Sequence, residues 1–246
     1  MALLRLLEDG FIERVGQKAG TYRRIENECQ DIDFMSADVK DELDLSWPLG
    51  VHRFVHILPK SIIVVAGSPD TGKTAFMLNL ARLNMSRFSI NYFSSEMGAL
   101  EMRNRLGNFD MPLSKWQNGN FTVKERASNF ASVIKPDEVN IIDYLELHDN
   151  FYAVVQLIAD IHTKLKKGIA VIALQKKEGA TDGRGGEFSK EKARLYMTID
   201  KDYPGAVLKI TKAKNWRDIK VNPTGYSCRF KLVGGCEFRP EDWRKD

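Results

Sequence analysis

Cysteine is scarce in this chain: Cys29, Cys228 and Cys236 are all that its 246 residues contain. They are too few and too scattered for a disulfide framework, and they lack the paired spacing of a zinc cluster. The expectation is reduced thiols in a cytoplasmic protein. Histidine is as sparse, and His52, His56, His148 and His162 show no metal-binding spacing with cysteines or carboxylates. No apolar run approaches the roughly 18 residues that span a bilayer. The longest, Ile62 to Ala66 and Ile169 to Leu174, have the length of strands. The start has no apolar secretory segment with a small-residue cleavage site. Internal repeats and low-complexity tracts are absent. With 43% hydrophobic and 28% charged residues, disorder, collagen and coiled coil are excluded.

What is present is enough chain for one large domain, or one domain with a small appendage. The net charge of +4 conceals an asymmetry. Residues 1–150 carry 17 Lys and Arg against 21 Asp and Glu, a net of −4. Residues 151–246 carry 20 against 12, a net of +8. A basic half suits a polyanionic partner and equally suits a solvated face.

Residues 1–25 read as a separate small unit. Leu3, Leu4, Leu6 and Leu7 form a helical stripe that ends at Asp9-Gly10. Phe11 to Val15 and Thr21 to Ile25 read as two strands around the polar turn Gly16 to Gly20. The pattern LLRLLEDGFIERVGQKAGTYRR resembles the last helix and wing of a winged-helix domain. Arg14, Lys18, Arg23 and Arg24 would then face duplex phosphates or a protein partner. The earlier helices of such a domain are missing, so the chain is expected to begin inside a longer one. A simple helix–hairpin cap is the alternative. Residues 26–46 form an acidic connecting segment.

From Trp47 onward strands and helices alternate. Strands are expected at Ser61 to Ala66, Ser89 to Ser94, Val139 to Asp143 and Ile169 to Leu174. Helices are expected at Lys73 to Met85, Ala99 to Leu106 and Phe151 to Lys166. Alternation of this kind implies a mostly parallel sheet in an α/β fold. Arg194 to Ile199, Ala206 to Ala213 and Tyr226 to Val233 read as an antiparallel extension. Lys176 to Lys190, rich in Gly and charge, reads as a mobile loop. Trp47, Trp116 and Trp216 are read as packing residues, and Trp243 stays open.

The chemistry starts at Gly67-Ser68-Pro69-Asp70-Thr71-Gly72-Lys73-Thr74, a full G-x-x-x-x-G-K-[ST] phosphate loop. Glycines let successive N–H groups point at phosphate oxygens, and the following helix offers its positive N-terminus. Lys73 reaches the β- and γ-phosphates of ATP, and the Thr74 hydroxyl ligates Mg²⁺. Asp143 ends an apolar strand, the position for a second magnesium contact; capping a following helix is its plainer role. Glu96 ends the strand Tyr92 to Ser95 and can polarise the attacking water, or it is a surface glutamate at a turn. Gln175, at another strand end, can sense the γ-phosphate.

The order of these parts, with YFSSEMG, IIDYLEL and VIALQKK, resembles the RecA-like core of the DnaB-type replicative helicases and their phage relatives. The tail KITKAKNWRDIKVNPTGYSCRFKLV is similar to that family's closing β-hairpin. The resemblance covers roughly residues 47–238. It implies ATP with Mg²⁺, nucleotide bound between subunits of a ring or filament, a hexamer being favoured, and single-stranded DNA as partner. It implies Glu96 as the water-activating group and a trans-acting cation on the hairpin, with Arg217 the first choice and Lys214 the second. The segment after Gln175, with Lys176, Lys177, Arg184 and Lys190, would contact nucleic-acid phosphates. The expected function is a motor ATPase acting on DNA in replication or recombination, with a replication protein as a further partner. The family's N-terminal helical domain and linker helix have no counterpart in this sequence. The alternative is therefore a nucleotide-switched regulatory or loader ATPase that binds a protein without unwinding. A small-molecule kinase is disfavoured, because Arg184 is the single arginine of its would-be lid.

Overall fold

The run Ile62 to Gly67 is apolar at every position until the glycine, and such a strand is stable only when covered on both faces. In the computed structural model it is strand β3 (Ile62–Gly67), buried throughout. Full burial of each Val or Ile there contributes about 1.5–3 kcal/mol. The structure describes residues 2–15, 20–24, 31–38, 41–145 and 153–245. Lys18, Cys29, His148, the turn after Val15, the part of the connecting segment before Asp31 and the expected start of the helix at Phe151 lie outside these.

The contacts divide the chain into two units, Met1–Val39 and Lys40–Asp246. The first holds helix α1 (Ala2–Glu8) and the antiparallel strands β1 (Ile12–Arg14) and β2 (Tyr22–Arg24). The helix and hairpin expected there are present. Arg23 pairs with Glu13 across the hairpin, so part of the wing's charge is neutralised in place. No residue of α1 is buried. A seven-residue helix and three-residue strands offer too little surface for a core.

In the second unit, β3 leads through the phosphate loop into α2 (Lys73–Asn84). There follow β4 (Ile90–Ser94), α3 (Ala99–Gly107), α4 (Leu113–Asn118), β5 (Phe121–Glu125) and β6 (Val139–Asp143). Then come α5 (Ala153–Lys164), β7 (Ile169–Gln175), β8 (Ala193–Asp202) and β9 (Gly205–Ala213). The chain closes with β10 (Tyr226–Val233), β11 (Glu237–Pro240) and β12 (Arg244–Lys245). The sheet order is β11-β10-β9-β8-β3-β7-β6-β4-β5, with β12 beside β10.

Strands β3 to β8 are parallel to their sheet neighbours within that group. Strand β8 therefore belongs to the parallel part, where an antiparallel strand was expected. Only at the β8–β9 hairpin does the sheet turn antiparallel, and it continues so through β10 and β11. The edge strand β5 and helix α4 were not anticipated. In β5 only Phe121 is buried, so the sequence carries no apolar run to mark it.

Alternation along the strands splits the core in two. Ile63, Val65, Tyr92 and Ile141 point to the α2 side, while Ile62, Val64, Phe93 and Ile142 point to the α5 side. The acidic segment before Trp47 contributes to the first layer through Leu43 and Leu45. Trp47 and Trp116 are buried, and Trp216 donates from Nε1 to the Ala213 carbonyl. Trp243, left open by the sequence, also packs: its ring lies 4.8 Å from Phe54 and Nε1 donates to the Leu49 carbonyl. Among the described residues no helix is long and apolar enough to cross a membrane.

Candidate nucleotide site

Parallel strands deliver their C-terminal ends to one edge of the sheet, the place where open α/β sheets bind ligands. That edge collects Gly67 from β3, Glu96 two residues past β4, Asp143 from β6 and Gln175 from β7. Register makes the gathering specific: Gly67 pairs with Gln175, and Ser94 pairs with Asp143.

The phosphate loop bends where glycine permits. A Cβ on Gly67 would stand 2.8 Å from the Ile199 carbonyl oxygen and 2.9 Å from Thr71 Oγ1. Gly72 adopts φ +90°, the left-handed conformation that costs other residues about 1–2 kcal/mol. The loop also ties itself together. Thr71 Oγ1 donates to the Ser68 carbonyl at 2.8 Å, and Lys73 Nζ donates to the same oxygen at 2.7 Å. Pro69 and Asp70 are exposed at the crest, and Ser68 is buried. Gly72 stands at the N-cap of α2, with no side-chain cap among its bonds, so the first N–H groups of the helix remain for an anion.

Burial pushes the Lys73 ammonium below its ordinary pKa, and the charges of Asp143, Glu96 and Asp70 oppose that drop. Asp143 is pushed upward by burial, against hydrogen bonds from Tyr92 and Thr74 and the charge of Lys73. Tyr92 lies wholly inside, and its hydroxyl donates to Asp143 Oδ2 at 2.5 Å. Burial, with the Asp143 charge, pushes that phenol well above its usual range. Glu96 is exposed and Gln175 half-buried.

The site therefore brings Thr74 to Asp143 and keeps Asp143 and Glu96 within electrostatic reach of Lys73. The oxygen donors Thr74 and Asp143, held in one hydrogen-bonded group, fit a hard divalent cation such as Mg²⁺.

The two hairpin cations differ in their surroundings. Arg217 Nε donates to the His52 carbonyl at 2.8 Å, and its other nitrogen pairs with Glu42 at 2.9 Å. Its guanidinium thus anchors the segment entering the core. Lys214 is exposed just past β9, at the sheet edge opposite the phosphate loop. Its ammonium stands beside Lys212, whose pKa is lowered by burial and by Lys214, Arg194 and Lys190.

The segment after Gln175 was expected to be open and mobile; it is exposed over much of its length, and it is packed against the sheet at Lys176, Asp182, Gly183 and Ser189. Lys176 is buried and its ammonium grips both Asp200 oxygens, at 2.6 and 2.7 Å. The Gly183 N–H donates to the Tyr196 hydroxyl, which also bonds Ser189. Lys190 pairs with Asp182 at 2.5 Å. Lys177 and Arg184 are exposed. Of the glycines that suggested mobility, Gly183 serves close packing, since a Cβ there would stand 2.9 Å from the Ala66 Cβ, while Gly179 and Gly186 take positive φ in open space. The charges that suggested DNA include two in-chain pairs.

Two site features escaped the sequence reading. Tyr92 was visible as the third residue of a strand whose register places it behind Asp143, but a tyrosine in an apolar strand carries no motif. Asp200 pairs across 24 residues with Lys176, a relation that only the β3–β7–β8 geometry creates.

Among the described residues no cluster of metal-binding side chains of the His/Cys/Asp/Glu kind occurs. Cys228 and Cys236 are free and buried, and burial pushes Cys228 up to about 11.

A parallel sheet with a phosphate loop after its central strand and carboxylates at the adjoining strand ends defines a RecA-like P-loop ATPase fold. Residues 54–147 match the family described as the DnaB-like helicase C terminal domain. A probable replicative DNA helicase of Guillardia theta is 31% identical over 121 residues, covering 45% of this chain and 20% of that protein. The chain thus spans about a fifth of the length of that relative. A KaiC-like protein of Pyrococcus horikoshii superimposes with a TM-score of 0.64 at 13% identity, over 82% of this chain and 99% of the other. A solved structure described as an ATPase domain gives 0.58 at 16% identity, over 73% of this chain and 84% of that one. A DnaB-like replicative helicase, solved in a study of its interactions with primase, gives 0.56 at 17%, over 73% and 57%. The structural likenesses carry the fold, and the sequence match carries the resemblance to the DnaB-like helicases.

Proposed function

We propose that this chain is the ATP-hydrolysing core of a DnaB-like motor that acts on DNA in replication or recombination. The observation that carries the reading is the convergence of Lys73, Thr74, Asp143 and Glu96 at one sheet edge, inside the segment matched to DnaB-like helicases. In this reading the N–H groups of residues 67–74 cradle the phosphates of ATP. Lys73 leaves the Ser68 carbonyl to bind the β- and γ-phosphate oxygens. Thr74 and Asp143 hold Mg²⁺, Thr74 through its hydroxyl. When bound, the cation neutralises charge developing on the phosphate oxygens. Glu96 holds the attacking water and accepts its proton. Gln175 hydrogen-bonds the γ-phosphate.

The catalytic cation from a neighbouring subunit is assigned to Lys214 in preference to Arg217. Arg217 is engaged within its own chain by Glu42 and His52, whereas Lys214 is exposed on the edge away from its own phosphate loop. That arrangement supports a homo-oligomer, a hexameric ring being favoured, with ATP between subunits. Single-stranded DNA would meet Lys177 and Arg184, exposed on the segment after Gln175. A second reading, an ATPase that switches a protein partner without unwinding, is favoured by one observation. Lys176 and Lys190 are engaged in ion pairs within the chain.

The test is ATP turnover with and without single-stranded DNA, for the wild type and for Glu96→Gln. Stimulation by DNA in the wild type, with nucleotide binding kept and turnover lost in Glu96→Gln, is expected. No stimulation and no DNA retention at low salt would leave the switch reading in place of the motor.

A further inference from the structure

A carboxylate at a strand end turns freely about its last bond, because that torsion has only a broad, two-fold preference. Asp143 does not have that freedom. Tyr92 on β4 pairs in register with Ile141, two residues behind Asp143, and so stands on the same face of the sheet. Its ring is fully buried and lies 5.9 Å from Phe121 in an edge-on arrangement. From there its hydroxyl reaches Asp143 Oδ2 at 2.5 Å. The Thr74 hydroxyl bonds the same carboxylate. Phenylalanine would fill this space as well, and the buried polar residues of the same strand, Asn91 and Ser94, hydrogen-bond Glu138 and the Met97 N–H and not the Tyr92 hydroxyl. The hydroxyl therefore has one polar task in the core, and the task is Asp143.

We infer that Tyr92 is a positioning residue that holds the Asp143 carboxylate in the orientation it needs to serve a divalent cation beside Thr74. The inference rests on the reading of Thr74 and Asp143 as the magnesium-holding pair. The phenol keeps its proton at ordinary pH, so it always donates and never competes as a base. With one carboxylate oxygen engaged from behind, the remaining acceptor positions face Thr74 and the phosphate loop. Partners of this kind, one bond removed from the metal, typically change metal affinity about 10–100-fold when lost.

The experiment is a Mg²⁺ titration of fluorescent ATP-analogue binding to the full chain, without turnover. For Tyr92→Phe the half-saturating Mg²⁺ should rise about ten-fold or more, while binding without Mg²⁺ is unchanged. Adding Tyr92→Phe to Asp143→Asn should produce no further shift, since the hydroxyl acts through that carboxylate. Melting curves confirm that each variant folds, and Tyr92→Met, which also lacks the donor, replaces Tyr92→Phe should the latter not fold. An unchanged Mg²⁺ requirement overturns the inference. So does an equal loss of binding with and without Mg²⁺, which is what a merely structural tyrosine would give. Lys73→Ala separates this outcome from failure of the nucleotide site itself. If Lys73→Ala abolishes binding and Tyr92→Phe leaves the Mg²⁺ requirement untouched, only the role of Tyr92 falls.

Discussion

Replacing Asp200 by alanine should destabilise the protein far more than replacing its partner Lys176 by methionine. The Lys176 side chain is 4% exposed and that of Asp200 is 34% exposed. Removing the carboxylate strands an ammonium in the interior, and breaking a fully buried pair in this way costs about 3–5 kcal/mol. Water reaches Asp200, so the loss here should be nearer about 2–3 kcal/mol. The reverse change removes the buried charge together with its desolvation penalty. Methionine keeps most of the stem's apolar contacts, and the remaining carboxylate is open enough to hydrate. Lys176→Met should therefore fall within about 1 kcal/mol of the wild type. For a domain of this size each kcal/mol moves the midpoint by about 2–4 °C, giving a drop of roughly 4–12 °C for Asp200→Ala. Thermal melts of the two variants at one pH and salt concentration decide the matter. Equal drops, or a larger drop for Lys176→Met, would refute the reasoning. The pair also fixes the backbone just past Gln175, where the Lys176 N–H donates to the Gly67 carbonyl at 3.0 Å.

Two further outcomes follow from the same geometry. Arg217→Ala should lower stability by about 1 kcal/mol, the scale of a partly exposed pair plus one hydrogen bond, and Lys214→Ala should leave stability unchanged while slowing ATP turnover. Mixing Lys214→Ala with Lys73→Ala subunits should then restore turnover at hybrid interfaces, and a failure of rescue would count against a trans role for Lys214. His162 is held below the ordinary 6.5 by burial and by the charges of Lys60, Lys192 and Arg194. The folded state thus binds fewer protons than the unfolded one, so this group's share of stability is fully present above pH 6.5 and is lost as pH falls from there through the lower folded value. His162→Gln should flatten melting midpoints across that window, and raising the salt should shrink the difference by screening the three cations.

How much of this was legible beforehand depended on whether a residue's role is local. The phosphate loop is local: its glycines, Lys73 and Thr74 lie together in one turn between a strand and a helix, so spacing alone marked them. Asp143 and Glu96 were legible for a related reason, since parallel strands place their C-terminal ends together whatever the loop lengths. The β-hairpin of β8 and β9 was visible by its alternation, but alternation says nothing of direction. The parallel pairing of β8 with β3 is decided by the long excursion after Gln175, and Lys176 to Lys190 had been read for charge and glycine alone.

That excursion shows why charge misleads when partners are distant in sequence. Lys176 and Lys190 look, from composition, like cations awaiting phosphate. Their carboxylates are Asp200, on β8, and Asp182, in the excursion that leads to it, and β8 had first to be placed beside β3. The same reasoning separates Arg217 from Lys214. Both follow β9 on one basic stretch, yet Glu42, 175 positions earlier, claims the first through a single hydrogen-bonded pair. A cation's availability to an outside ligand is thus a property of the folded sheet. If oligomerisation or DNA binding draws on this basic half, it should draw first on the exposed Lys177 and Lys214. Alanine at Lys177 should reduce the salt sensitivity of DNA binding, while alanine at Lys190 should not.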